Sequence, residues 1–434
     1  MLKKLITQSK HKLHCLPGNG TMEKIIFLFD LDGTITAEES FPEMAKSFHL
    51  SPEMINLTSQ TIKGNIPFVE SFIRRVEILK KIPVSAIRER MTQINLLTEV
   101  VKFIKVHSDI CRVVTSNVDM WICDLANDIG CKYYASEGFV ENDKLVKLTK
   151  ILKKEEVVQR YQQAGYYVVF IGDGQNDSEA MRLADIAIAS GIVHTPAKTL
   201  LTVASHCVYS QQALVRLLKQ IKTPSPGKSL ILSCAGIGSR LGLAKTKALI
   251  EFSNKPLIQL QLEKLTSVED IRVVVGFQYS DVIETVLKVR QDIIFVFNHD
   301  YFHTKTGTSL FLGAKHANEY ILAWDGDLIV HPDDITRCLE YNGEYVGCSK
   351  MISDDPVYVN LNEKGYVVNF SHSSGDYEWS GPACLKKNKI KYTTMNVFDQ
   401  IVDFLPLPAL KIKAQDIDTY TDYIKAKKFI EEWN

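Results

Sequence analysis

The sequence predicts an α/β protein built as two successive units, each a sheet covered by helices. Three observations carry this. Short continuous apolar runs such as Lys24–Phe29 (KIIFLF) recur along the chain, and a strand buried on both faces of a parallel sheet reads that way. Stretches with helical spacing separate these runs, so strands and helices alternate. The stretch 222–228 (KTPSPGK) then breaks the pattern with prolines, a serine and a glycine, and a new series starts at Ser229. A chain of 434 residues has room for two domains.

Taken in order, residues 1–22 carry no fold pattern and read as a disordered tail, with Met22 an alternative start just before the first strand. The unit 23–221 has further strand-like runs at Arg112–Val114, Tyr167–Ile171 and Ile186–Ala189. Between about 37 and 100 the pattern turns helical, as in FVESFIRRVEILKKI and VSAIRERMTQI, which predicts a helical insert after the first strand. After the 222–228 linker, the unit 229–434 shows strand-like runs at Ser229, Ile271–Val275, Ile293–Phe297, Ile321–Trp324, Tyr345–Gly347 and Tyr366–Val368. No internal repeat relates the halves, so they read as different α/β folds.

Composition narrows the function. Apolar residues make up 45% and charged residues 24%, with a net charge of zero. No basic field argues for nucleic acid, and no basic amphipathic face argues for a membrane surface. Phosphate binding must then come from local groups. The nine cysteines lack CxxC spacing, which argues against a zinc site or a disulfide framework. Cys111, Cys131, Cys207 and Cys234 lie in or beside apolar runs and read as small buried hydrophobes. A reducing cytoplasm fits. No run reaches the roughly 18 apolar residues of a membrane span. The basic N-terminus lacks the apolar core and cleavage site of a signal peptide.

The first strand runs directly into Asp30-Leu31-Asp32-Gly33-Thr34. Ligands of an open parallel sheet bind at the carboxyl ends of its strands. Two carboxylates there imply chemistry or metal, because burying them for structure alone is costly. One of the pair can attack phosphorus while the other protonates the leaving oxygen. A second strand ends in Thr115-Ser116-Asn117, which offers donors to phosphate, and a later one in Gly172-Asp173-Gly174-Gln175-Asn176-Asp177. Asp30, Asp32, Asp173 and Asp177 converging on one rim call for a divalent cation, and Mg²⁺ suits oxygen ligands plus a phosphate. Lys153 and Lys154 lie upstream as candidates to neutralise the phosphate.

This ordered set resembles the haloacid dehalogenase superfamily over about residues 23–221. The resemblance implies Asp30 as nucleophile, Asp32 as acid/base, Thr115 as phosphoryl holder, Lys154 as counter-charge, and Asp173 with Asp177 as Mg²⁺ ligands. The helical insert, through GNIPFVESFIRRVEILKKIP, resembles the cap of the phosphoserine phosphatase branch. There an acidic residue after the nucleophile loop and a cap arginine hold the ends of the amino acid, and Glu39 and Arg75 occupy the matching places. The sequence departs from that branch at Thr115-Ser116-Asn117, where a serine and two glycines are usual.

In the second unit, Cys234-Ala235-Gly236-Ile237-Gly238-Ser239-Arg240-Leu241 follows the strand SLILS. Gly236 and Gly238 let backbone amides approach a triphosphate, and Arg240 adds charge. Lys247-Ala248-Leu249 and Asn254-Lys255-Pro256-Leu257 come next. Together, CAGIGSRL, TKALIEF and NKPLI resemble the nucleotidyltransferases that activate sugar phosphates or small alcohol phosphates such as phosphocholine, over about 229–434. The resemblance implies a GT-A-like mixed sheet, Mg²⁺ on Asp327 of Trp324-Asp325-Gly326-Asp327 and on Asp418 of Asp416-Ile417-Asp418, and Lys247 at the α-phosphate. It also implies that Ser380 and Gly381 line the acceptor side, and that 298–310 (NHDYFHTKTGTSL) is the acceptor-proximal loop.

The expectation is a bifunctional Mg²⁺-dependent enzyme. One half hydrolyses a small phosphate monoester; the other joins a nucleotide, CTP by resemblance, to a small phosphorylated acceptor in building surface polysaccharide or lipid decorations. Two alternatives stand beside it. One is a sugar-1-phosphate nucleotidyltransferase fused to a housekeeping phosphatase. The other is a regulatory protein in which one half only binds ligand.

Overall fold

The structure is a computed structural model that describes residues 24–50, 52–62, 65–238, 245–351, 353 and 356–432. The expected tail at 1–22 therefore lies outside the described residues. The chain divides into two compact units between Val215 and Arg216. This division falls within a helix, Gln211–Lys222, ahead of the 222–228 segment read as the linker.

In the first unit, the strands are β1 (Lys24–Phe29), β2 (Cys111–Val118), β3 (Lys132–Glu141), β4 (Lys144–Lys150), β5 (Tyr166–Gly172), β6 (Ile186–Ser190) and β7 (His206–Val208). They lie in the order β7-β6-β5-β1-β2-β3-β4. All neighbours are parallel except the β3–β4 hairpin. Ile26 to Phe29 of β1 are fully buried, as a central strand covered on both faces requires. The chain leaves β1 toward β2 on one side and later returns through β5 on the other, so the sheet reverses direction beside β1. That reversal opens a crevice at the carboxyl ends of β1, β2 and β5.

The helical insert is present and its base is closed. Thr36 and Leu96 form a bridge, Ala37 N donates to Asn95 O and Leu97 N to Ile35 O, both at 2.8 Å. Helices Ser40–Ser47, Pro52–Ile62, Phe68–Leu79 and Val84–Thr92 lie within it. The next helix, Thr98–Val106, covers the sheet instead, with Phe103 edge-on to Phe27 at 5.6 Å. In Phe68–Leu79 the buried residues Ser71, Phe72, Arg75, Val76 and Leu79 recur at helical spacing, and Pro67 precedes the first turn. The hairpin β3–β4 was not legible in its alternating, half-exposed sequence.

The second unit has β8 (Lys228–Ser233), the short pair β9 (Glu251–Phe252) and β10 (Lys255–Pro256), β11 (Ile271–Val275), β12 (Ile294–Phe297), β13 (Tyr320–Asp325), β14 (Leu328–Val330), β15 (Tyr345–Ser349), β16 (Tyr358–Leu361), β17 (Tyr366–Ser371), β18 (Tyr377–Lys386), β19 (Leu407–Lys411) and β20 (Ala414–Asp416). β12, β11, β8 and β13 are parallel in that order. β18 then pairs antiparallel with β13, β15 and β16, which makes the sheet mixed. β14 and β20 form a separate antiparallel pair that brings the chain around Asp327 next to the chain around Asp418. Among the described residues no helix is long and apolar enough to cross a membrane.

Candidate active sites

The first site is built on three strand ends. Asp30 follows β1, Thr115-Ser116-Asn117 lies in β2, and Asp173 follows β5; Asp30, Thr115, Ser116, Asn117 and Asp173 are all buried. With Asp32, Glu39, Arg75 and His194 they line a pocket of about 90 Å³. Gly33 turns the chain at φ +65°, a conformation a side chain would strain.

Lys154 opens helix Lys154–Gln163 with 2% of its side chain exposed, and its Nζ lies 2.7 Å from Asp30 Oδ1 and 2.6 Å from Asp177 Oδ1. Lys153, by contrast, is 66% exposed and pairs with Glu156. Burial alone would lower the Lys154 ammonium; the Asp177 and Asp30 carboxylates override it and hold it above the ordinary lysine value. Asp30 is pushed well up, first by burial and then by Asp177, with Lys154 opposing. Asp32 is pushed up to about 7 by burial and then by Glu39. Its carboxylate accepts from Ser40 N at 2.9 Å and from Asn117 Nδ2 at 2.7 Å. Asn117, expected to face substrate, thus also orients Asp32.

Asp30, Asp173 and Asp177 each bring an oxygen within 4.8 Å of the others. Hard oxygen donors in a buried group suit Mg²⁺. Both oxygens of Asp177 are already engaged, Oδ1 by Lys154 and Oδ2 by Asp173 N and Gly174 N. The carboxylate of Asp32 is not in this group. Asp173 is pushed up to about 6, first by burial, although His194 donates to it.

The insert contributes Glu39 and Arg75. Arg75 is buried, its guanidinium 4.4 Å above the Phe41 ring and 5.9 Å from Phe68, with Nε donating to Ser71 O. Burial lowers its pKa, with Asp32 and then Glu39 opposing. His194, which sequence reasoning missed, has Nε2 2.9 Å from Glu39 Oε1 and 2.6 Å from Asp173 Oδ2. Hydrogen bonds to Asp173 and then Glu39 raise it to about 11. No spacing rule links residues 155 apart, so the sequence carried no signal for it.

The second site lies at the carboxyl end of β8 and β13, in a cavity of about 650 Å³. Gly236, Gly238, Lys247, Asp327, Ser380, Gly381 and Asp418 all line it. Arg240 lies outside the described residues. Gly238 sits at φ +68°, where a Cβ would fall 2.9 Å from Lys245 O. Lys247 Nζ lies 2.6 Å from Asp327 Oδ2 and also contacts Asp418 Oδ1. The two carboxylates assigned to Mg²⁺ are therefore adjacent and share the ammonium of Lys247. Burial would lower that ammonium, and Asp327 with Asp418 raises it above the ordinary value.

Two further carboxylates complete the cluster. Asp325 is pushed up to about 8 and Asp416 to about 7, each by burial and then by Asp327. Both stand in quoted motifs, so the signal was present, but two-residue spacing did not say which of each pair matters. Ser380 and Gly381 lie inside β18, and Ser380 Oγ is buried with no hydrogen-bond partner among the described residues.

Of the four cysteines read as buried, Cys111, Cys207 and Cys234 are, and Cys131, just before β3, is half-buried. All described cysteines are free thiols.

Comparison with known proteins agrees with this division. A haloacid dehalogenase-like hydrolase model matches residues 27–182, and a MobA-like NTP transferase domain model matches residues 230–349. The chain is similar to phosphoserine phosphatase of Archaeoglobus fulgidus, 27% identical over 216 residues, 47% of this chain and 61% of that protein. It is similar to phosphoserine phosphatase of Methanocaldococcus jannaschii, 25% identical over 213 residues, 46% of this chain and 99% of that one. Among solved structures, CTP:phosphocholine cytidylyltransferase from Streptococcus pneumoniae aligns at 20% identity and a TM-score of 0.40, covering 47% of this chain and 99% of that one. The chain thus joins an N-terminal domain of the haloacid dehalogenase-like hydrolases to a C-terminal domain of the nucleotidyltransferases.

Proposed function

We propose that the first domain hydrolyses a small phosphate monoester bearing an amine and a carboxylate, and that the second transfers a nucleotidyl group, from CTP in preference, to a small phosphorylated acceptor. For the phosphatase, the carrying observation is the placement of buried Asp30 and Arg75 around one pocket, with the buried Lys154 ammonium against Asp30.

Asp30 attacks phosphorus and forms an aspartyl-phosphate. Asp32, whose pKa of about 7 lets it both give and take a proton near neutrality, gives its proton to the leaving oxygen. The Asp32 carboxylate then takes a proton from the water that attacks the phosphoenzyme, which returns Asp30 and releases phosphate. Lys154 balances charge on the Asp30 side. Arg75 presents its planar fork to the substrate carboxylate, and Glu39 accepts its ammonium.

In the transferase, the acceptor phosphate attacks the α-phosphate and pyrophosphate leaves. Lys247 stabilises the charge that develops there, and the amides of Gly236 and Gly238 approach the triphosphate. Asp30, Asp173 and Asp177 in one domain, and Asp327 and Asp418 in the other, would hold Mg²⁺, which would supply Lewis-acid stabilisation of phosphate oxygens. The role in surface decoration and the cytoplasmic location belong to this reading.

The test is to incubate the protein with each nucleoside triphosphate and a panel of phosphorylated small molecules, following pyrophosphate and inorganic phosphate separately. Pyrophosphate should form with CTP, and phosphate should appear without any nucleotide. Absence of either product across the panel removes that half of the reading.

A further inference from the structure

His194 is the one titratable group of the phosphatase pocket to which the reaction above gives no task. It lies on the loop between β6 and helix Lys198–Leu201. Its Nε2 contacts Glu39 Oε1 at 2.9 Å and Asp173 Oδ2 at 2.6 Å. Glu39 immediately precedes the first helix of the insert, whereas Asp173 directly follows a core strand. One ring nitrogen therefore spans from the insert to the core.

The surroundings are built to keep this contact. Ala197 N donates to Asp173 O at 3.1 Å, which fixes the histidine loop to the aspartate loop. Thr34 Oγ1 donates to the other oxygen of Asp173, leaving Oδ2 toward the imidazole. A Cβ on Gly33 would fall 2.6 Å from Asp173 Oδ2 and 3.0 Å from His194 Nε2, so glycine leaves the space the contact occupies. Arg75 is held by other means, on Phe41, Phe68 and Ser71. The two ends of the pocket thus have separate supports.

We propose that His194 is a positioning residue for amine recognition, holding Glu39 at a fixed place relative to Asp173 so that the ammonium acceptor is in register with the phosphate end of the pocket. This rests on the reading of Glu39 as the ammonium acceptor. A carboxylate free to rotate would lose orientation on binding an ammonium, and the imidazole removes that freedom in advance. Loss of His194 should weaken reading of the amine and spare reading of the carboxylate.

The experiment compares the native full chain with His194→Ala and His194→Gln. The values of kcat and KM are measured for phosphoserine, for its deaminated analogue 3-phosphooxypropanoate, and for its decarboxylated analogue phosphoethanolamine. In His194→Ala the preference for phosphoserine over the deaminated analogue should fall about tenfold or more, chiefly through KM, as loss of an oriented charged contact implies. Preference over phosphoethanolamine should persist. Glutamine, which keeps an N–H donor, should restore part of the loss. If the alanine variant does not fold, His194→Leu fills the space without a donor and carries the same comparison. An equal fall in kcat on all three substrates, with both preferences intact, overturns the proposal in favour of a structural role. A native enzyme that prefers phosphoserine, together with a variant that keeps the preference, overturns the proposal and leaves the Glu39 reading standing. A native enzyme indifferent to the amine overturns both.

Discussion

The Lys154 ammonium lies 2.7 Å from the Asp30 carboxylate, and both side chains are buried at the end of the central strand. A buried lysine of this kind is stable only because Asp30 and Asp177 balance it. Asp30→Asn keeps the shape and removes both the nucleophile and half of that balance. Phosphate release should fall by several orders of magnitude, at about 1.4 kcal/mol per tenfold, while pyrophosphate formation continues. Phosphate release by pure Asp30→Asn protein at the native rate would refute the assignment.

Lys247 holds the corresponding place in the other domain, between Asp327 and Asp418. Lys247→Ala leaves two carboxylates facing each other and withdraws positive charge from the α-phosphate. Pyrophosphate formation should drop by about 10² or more, with phosphate release unchanged. Asp327→Asn should act in the same direction. Native transferase rates in either variant would show that the site lies elsewhere.

The Arg75 guanidinium is buried over the Phe41 ring and not solvated on its helix. Arg75→Ala should abolish most of the preference for phosphoserine over phosphoethanolamine, a loss of about tenfold to a hundredfold for one charged contact. Competition assays with the two substrates measure it directly. An unchanged ratio would mean that the pocket selects by shape.

Metal activation of the phosphatase should weaken in acid. Burial raises the carboxyls of Asp30 and Asp173, the latter to about 6. A raised pKa means that protons bind as the pH falls through about 6 and must leave before the metal binds. The Mg²⁺ concentration for half-maximal phosphate release should therefore rise below that pH, by about tenfold per unit where one proton is displaced. A flat profile from pH 8 to pH 5 would exclude these carboxylates as the ligands.

The end of helix Gln211–Lys222 matters to the second unit. Arg216 and Gln220 bond Asp270, and Gln220 accepts from the buried guanidinium of Arg272. A fragment 229–434 loses these partners, whereas one beginning before Gln211 keeps them. The shorter fragment should be less stable by about 1.5–3 kcal/mol for each charged hydrogen bond lost, visible as a lower melting temperature. Equal melting temperatures would mean that the network is solvated without loss.

The sequence by itself determined the two α/β units, the strand ends that carry the chemistry, and the order of the acidic motifs. Those features are local: a continuous apolar run ends, and a polar loop follows within a few residues. It also located the helical insert and the Lys247, Asp327 and Asp418 motifs. What it left open depended on contacts between distant segments. The resemblance implied Lys154 over Lys153, but the reason is tertiary: the helix start turns Lys154 inward onto Asp30 and leaves Lys153 in water. His194 meets Glu39 only because the loop after β6 is folded back onto the loop after β5. The hairpin β3–β4 and the strands β16, β18, β19 and β20 were equally hidden. Their pairing is set by neighbours far along the chain, and half-exposed strands lack the continuous apolar run that marks a buried one.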